Sequence, residues 1–290
     1  MSTVVILGAG EHGATVARRL AGRELARRIV LVDSDEGKAR GKALDILQSG
    51  PVDRFDTRLD GTSDPGVIDE PDILVVADAA ELTEGSGAAD RLAQLVAKIR
   101  PRLVVVAGAR PAPSVDAVLA AGFAADRIAG SAPVAVASAI RRRLAVALEV
   151  EASAVCLALL GLPPDVIVVP HASAAVGGVP IEQLHPNAVR QAVQEVAGRT
   201  PGPVALAAAA VHVIAALVSP RRSVLPVLAR GDAAFGLGRA TIALPRRLGG
   251  WRVGETLEVA LEPYERVALE NAAEGRFHAA GRAGPRRHFD

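Results

Sequence analysis

The chain has 290 residues, half of them apolar but only 2% aromatic, and a formal net charge of +1. That length suits one large or two ordinary domains. The charge balance excludes a whole-protein field drawing it to nucleic acid or an anionic membrane, and five Phe, one Tyr and one Trp leave few rings to stack on bases or sugars.

In chain order, Val4 to Leu7 reads as a buried strand, 11–20 as a helix, 28–32 as a strand and 36–47 as a helix. Strands at 73–76 and 103–106 follow, with helices near 88–99 and 114–121. These strands are apolar runs without polar alternation, the mark of strands covered on both faces, and their alternation with helices implies right-handed βαβ units in a doubly wound parallel sheet. A helix over 134–148 closes this part. Beyond it come strand-like runs at 154–160 and 166–169, helices at 187–197 and 204–217, strands near 223–228 and 239–244, and a last helix at 263–273. The expected organisation is α/β: a Rossmann domain over 1–148 and an α+β domain over 149–290, its Arg- and Gly-rich tail fraying after about residue 275.

Met1-Ser2 runs straight into a strand, so no leader is read there. The longest apolar stretch, Pro203 to Val218, is short for a bilayer and contains His212, so a buried helix and a cytoplasmic protein are expected. The single cysteine, Cys156, excludes an intrachain disulfide and any Cys-rich metal site; its apolar neighbours predict a buried thiol. His185, His278 and His288 stand apart, and no metal-ligand spacing occurs.

Gly8-Ala9-Gly10-Glu11-His12-Gly13 is a G-x-G-x-x-G run between a predicted strand and a predicted helix, the context this motif needs. Gly8 permits a tight turn, Gly10 lets backbone approach a pyrophosphate, and Gly13 lets the helix pack on the sheet. Glu11 and His12 lie within the loop, with His12 expected along the nucleotide edge. Asp33 ends the second strand, 20 residues after Gly13. A carboxylate there accepts from adenosine ribose hydroxyls and repels a 2′-phosphate, and Ser34-Asp35-Glu36 supplies no arginine, so NAD is expected rather than NADP.

With these residues in view, the chain resembles the lactate/malate dehydrogenase family, bacterial malate dehydrogenase type. GAGEHGATVA (8–17), EGKARGKALDI (36–46), Gly122 to Gly130, Val179-Pro180-Ile181-Glu182, Ser223 to Pro226 and Gly236 to Gly250 carry the similarity in the family's order. The resemblance implies hydride transfer between nicotinamide and a 2-hydroxy acid, with a His as proton carrier, an Asp orienting it, arginines clamping the carboxylate, and a homo-oligomer.

Each catalytic position departs from that pattern. The family's G-G-H-G-D is Gly161-Leu162-Pro163-Pro164-Asp165, placing Pro163 (or Pro164, on the other register) where the imidazole belongs. Its L-D-x-x-R becomes Ala135-Val136-Ala137-Ser138-Ala139, and its T-N-P becomes Ala107-Gly108-Ala109. The mobile loop, Ala80 to Ala89, carries Glu81 and Glu84 and no basic residue. The expectation is an NAD(H)-binding pseudoenzyme with a sensing or scaffolding role, no catalytic residues of the family's kind and no metal. The alternative is an NAD-dependent oxidoreductase with altered substrate and catalytic groups, a small carboxylic acid being the ligand class. His171, eight residues past Pro163, and Asp165 are the candidate replacements; Arg143, one turn past Ala139, is a candidate anion contact.

Overall fold

A computed structural model describes residues 2–66, 68, 70–77 and 87–275. Its strands are β1 Thr3–Leu7, β2 Arg28–Val32, β3 Arg58–Thr62, β4 Ile73–Val76, β5 Leu103–Val106, β6 Ile128–Gly130, β7 Val155–Cys156, β8 Leu160–Leu162, β9 Val166–Val168, β10 Ala175–Val176, β11 Val179–Pro180, β12 Ser223–Arg230, β13 Thr241–Gly249 and β14 Arg252–Thr256. The helices are α1 Glu11–Gly22, α2 Glu36–Asp53, α3 Ala88–Ile99, α4 Ala112–Ala120, α5 Ala132–Ala147, α6 Ile181–Leu184, α7 Ala188–Val196, α8 Pro203–Val218 and α9 Pro263–Ala273.

The first six strands are parallel in the order β3-β2-β1-β4-β5-β6. That is the doubly wound Rossmann order. Strand side chains alternate in direction, and here both directions are apolar. Val4, Ile6, Ile29, Leu31, Ile73, Val75, Leu103 and Val105 pack into one core with Val16 and Leu20 of α1, Ala39 and Ala43 of α2 and the buried side of α8. Val5, Leu7, Val30, Val32, Leu74, Val76, Val104 and Val106 pack into the other with Leu92 and Val96 of α3, Val115 and Val118 of α4 and Ile140 and Leu144 of α5. Small aliphatic side chains thus fill two close layers, as the scarcity of rings requires. Gly61 marks a very tight approach: a Cβ there would lie 2.3 Å from the Ala39 carbonyl carbon in α2.

Beyond β6 the sheet continues through β12, β13, β8 and β9 with antiparallel pairings, and β14 pairs β13. A third core joins Leu160, Val166 and Val168 to Phe235, Ile242, Leu244 and Leu269. Arg102, just before β5, lies 4.2 Å over the Trp251 ring in the β13–β14 turn. No helix among the described residues is long and apolar enough to cross a membrane.

Elements expected from long apolar runs are found within a few residues, and α2 extends to Asp53 with Pro51 inside it. The run read as one strand over 154–160 instead breaks into a 3-10 turn, β7 and β8. Cys156 corrects the expectation of a buried thiol: it is exposed, because β7 turns Val155 inward and the next side chain outward. β3, with Arg58, Asp60 and Gly61, escapes an apolar-run reading because it lies on the sheet edge. The expected fraying tail, His278, His288 and the acidic part of the 80–89 loop lie outside the described residues.

Candidate functional site

The glycine run leaves β1 and enters α1 at the carboxyl edge of the parallel sheet, where open α/β folds bind ligands. Gly8 has φ +97°, a left-handed conformation open to glycine at little cost. Gly10 is the N-cap of α1 in an extended conformation, with no side chain capping the first turn. Those N–H groups and the helix dipole suit an anion. Glu11 is exposed, while His12 and Gly13 are buried on the inward side of α1. His12 therefore belongs more to the packing beneath the loop than to its open rim.

Asp33 is tied to that loop. Its Oδ2 accepts from the Ala9 N–H at 2.8 Å and from Lys38 Nζ at 2.8 Å, and its Oδ1 from the Asp35 N–H at 3.2 Å. Desolvation pushes its pKa up, but Lys38 and the two backbone donors outweigh it and hold the carboxyl below its ordinary value of 3.8. The group is therefore ionised near neutrality with lone-pair capacity left for a hydroxyl. Because the folded pKa is the depressed one, Asp33 contributes stability that is present above about pH 4 and lost as pH falls through the lower folded value. Replacing Asp33 with Asn is expected to flatten the fall in Tm between pH 4 and pH 2 (both about) relative to the parent chain, read by calorimetry. An unchanged slope would show the Lys38 contact to be absent.

The fit to a dinucleotide has a second support that sequence reading missed. Ser131 follows β6 and precedes α5; it is fully buried, and its hydroxyl has no hydrogen-bond partner. An orphaned hydroxyl at the carboxyl edge is a polar group awaiting a ligand or water. The residues present therefore suit NAD. Lys38 was also missed, although its place in the first turn of α2, five residues after Asp33, was a usable signal.

The catalytic positions expected from the resemblance carry no acid–base group. Pro163 and Pro164 sit in the β8–β9 turn. Val136 has 0% exposure and lies in the core; Ala139 packs beside it. Asp165 is ion-paired with Arg110, which lies four residues past β5. Arg143 pairs with Glu195 at 3.1 Å and lines a cavity of about 680 Å³ beside α5 and α8 with Ala139, Arg142, Arg199 and His212. Burial, then Arg23 and Arg141, push the His212 pKa below 6.5, so it is neutral at pH 7.

His171 does face a carboxylate: Nδ1 is 2.5 Å from Glu182 Oε1, and Nε2 is 4.0 Å from Glu265 Oε1. Glu265 is buried, accepts from the His171 N–H at 2.9 Å and closes the capping box of α9 with Glu262. Tyr264 stacks edge-on to the imidazole. Burial, then Glu265, raise the Tyr264 pKa above 10. The imidazole borders a separate cavity of about 550 Å³ with Val169, Arg190 and Val193. It is six residues from Asp165, at the opposite end of β9, or about 20 Å along extended chain. No group of His, Cys, Asp and Glu among the described residues could hold a metal.

Residues 2–110 match the family model for the lactate/malate dehydrogenase NAD binding domain. Malate dehydrogenase of Salinibacter ruber is 31% identical over 95% of this chain and 95% of its own, and that of Chlorobium phaeovibrioides is 30% identical over 93% and 95%. The solved Salinibacter ruber malate dehydrogenase superposes with a TM-score of 0.86 at 30% identity, covering 96% of this chain and 95% of that one. The Cryptosporidium parvum lactate dehydrogenase complexed with lactic acid and NAD shares the fold, with a TM-score of 0.85 at 24% identity, over 98% and 99% of the two chains.

Proposed function

Because the chain belongs to the lactate/malate dehydrogenase family and carries its NAD-binding domain, we propose that it is an NAD(H)-binding member without the family's usual hydride-transfer activity. Gly8, Gly10, Glu11, His12 and Gly13 form the pyrophosphate loop and Asp33 the ribose contact, within a nucleotide domain over 1–148 that precedes a substrate-like domain over 149–290. The single observation carrying the inactive reading is the replacement of the acid–base centre by apolar groups: proline at 163 and a core valine at 136. A positioned base contributes about 10²–10⁴ in rate. Oriented clamps add to that separately. The protein then acts in the cytoplasm as a sensor or scaffold. Leu44 and Leu47 on α2, 55% and 42% exposed, support assembly with further copies.

The relatives' name, malate dehydrogenase, favours a second reading, an oxidoreductase with altered catalytic groups. Titrating NADH by its fluorescence, then screening 2-hydroxy and 2-keto acids for an absorbance change, separates the two. Saturable NADH binding with no turnover is expected. Malate or lactate oxidation at ordinary dehydrogenase rates would sink the inactive reading.

A further inference from the structure

Asp165 stands beside the two prolines that replace the proton carrier, and its carboxylate reaches across to the guanidinium of Arg110. Arg110 follows β5, the strand between β4 and β6, so it rises from the carboxyl edge of the parallel sheet, on the same side as the glycine loop. Both partners are part-exposed, the arginine side chain 55% and the aspartate 41%. One of five guanidinium N–H groups is engaged with Asp165, which leaves the planar fork able to take a second carboxylate or exchange the first. The positions that carry the family's own Asp and Arg hold Val136 and Ala139.

We propose that Arg110 is an anion clamp with Asp165 as its resident occupant, and that a small monocarboxylate binds by displacing Asp165 from the guanidinium. Its placement next to the nicotinamide end rests on the NAD reading above; the exchange itself does not require nucleotide. One fork matches one carboxylate in bidentate geometry. A dianion would face Asp165 without a second cation from position 136 or 139. A part-exposed pair is weakly held and salt-screened, so displacement costs little.

The test titrates the full-length protein with acetate and follows the arginine Nε–H resonance that is missing from Arg110→Gln. Asp165→Asn removes the competitor and is expected to tighten acetate binding by about fivefold, the most an exposed pair allows. Arg110→Gln should lose the binding, and Arg110→Lys should weaken it by loss of the fork. The proposal is overturned if Asp165→Asn binds acetate no more tightly than the parent, or if Arg110→Gln binds it equally well. NADH is titrated by fluorescence into the same samples. Failure of the parent to bind NADH defeats the cofactor reading while leaving the acetate comparison to judge the clamp by itself.

Discussion

Gly10→Asp is expected to lower NADH affinity by more than about a hundredfold while leaving the fold intact. Gly10 is the N-cap of α1, at φ −70° and ψ −169°, an extended conformation open to any residue. Aspartate is a favoured N-cap, so the helix should keep its stability within a few tenths of a kcal/mol. Its carboxylate, however, would accept from the first-turn N–H groups that the pyrophosphate needs and place a negative charge against the phosphates. Binding and stability therefore move independently, which separates this substitution from simple unfolding. Fluorescence titration and a melting curve on the same preparation read both. Parent-like NADH binding would remove the loop from the site.

Val136→Asp, which introduces the residue type the resemblance implies there, is expected to destabilise the chain by at least about 3 kcal/mol, against a total of about 5–15 kcal/mol for an ordinary domain. The reason lies in what now surrounds the position. Val136 is fully buried, in the same core as Ile140, Leu144 and Val104. With proline at 163 there is no imidazole to share the charge, and an unpaired buried carboxylate must either stay protonated or open the core. A melting temperature lower by about 5 °C or more would follow for a chain of this length unfolding as one unit. Val136→Thr, with a hydroxyl in place of a methyl, should cost clearly less. Restoring the catalytic pair by Val136→Asp with Pro163→His should accordingly yield an unstable protein without malate oxidation. A stable, active double variant would mean that the vacated chamber is still polar.

Sequence periodicity found the parallel half because strands buried on both faces are continuous apolar runs, which pattern alone detects. It found the three-residue β9, read at 166–169, but failed at other strands of two or three residues. β7, β10 and β11 carry too few side chains to establish a period. β6, Ile128-Ala129-Gly130, is of the same kind. The glycine loop and Asp33 were readable because their chemistry is local in sequence. The Arg110–Asp165 pair spans 55 positions and the His171–Glu265 contact 94, so only folding brings those partners together. The residue identities at 136 and 163 could be read from the sequence, but the apolar packing around Val136 could not.

Trp251 is the chain's one indole, lying under the Arg102 guanidinium and donating its backbone N–H to the Leu217 carbonyl at 2.8 Å. It thus sits where the last hairpin meets both the start of β5 and the end of α8. Tryptophan emission is therefore a built-in optical gauge of that seam: parting of the hairpin from the first half would wet the ring and redshift its spectrum. Nucleotide loading at the opposite edge of the sheet should leave the wavelength unchanged, so docking of the two halves can be followed in the same cuvette as cofactor binding.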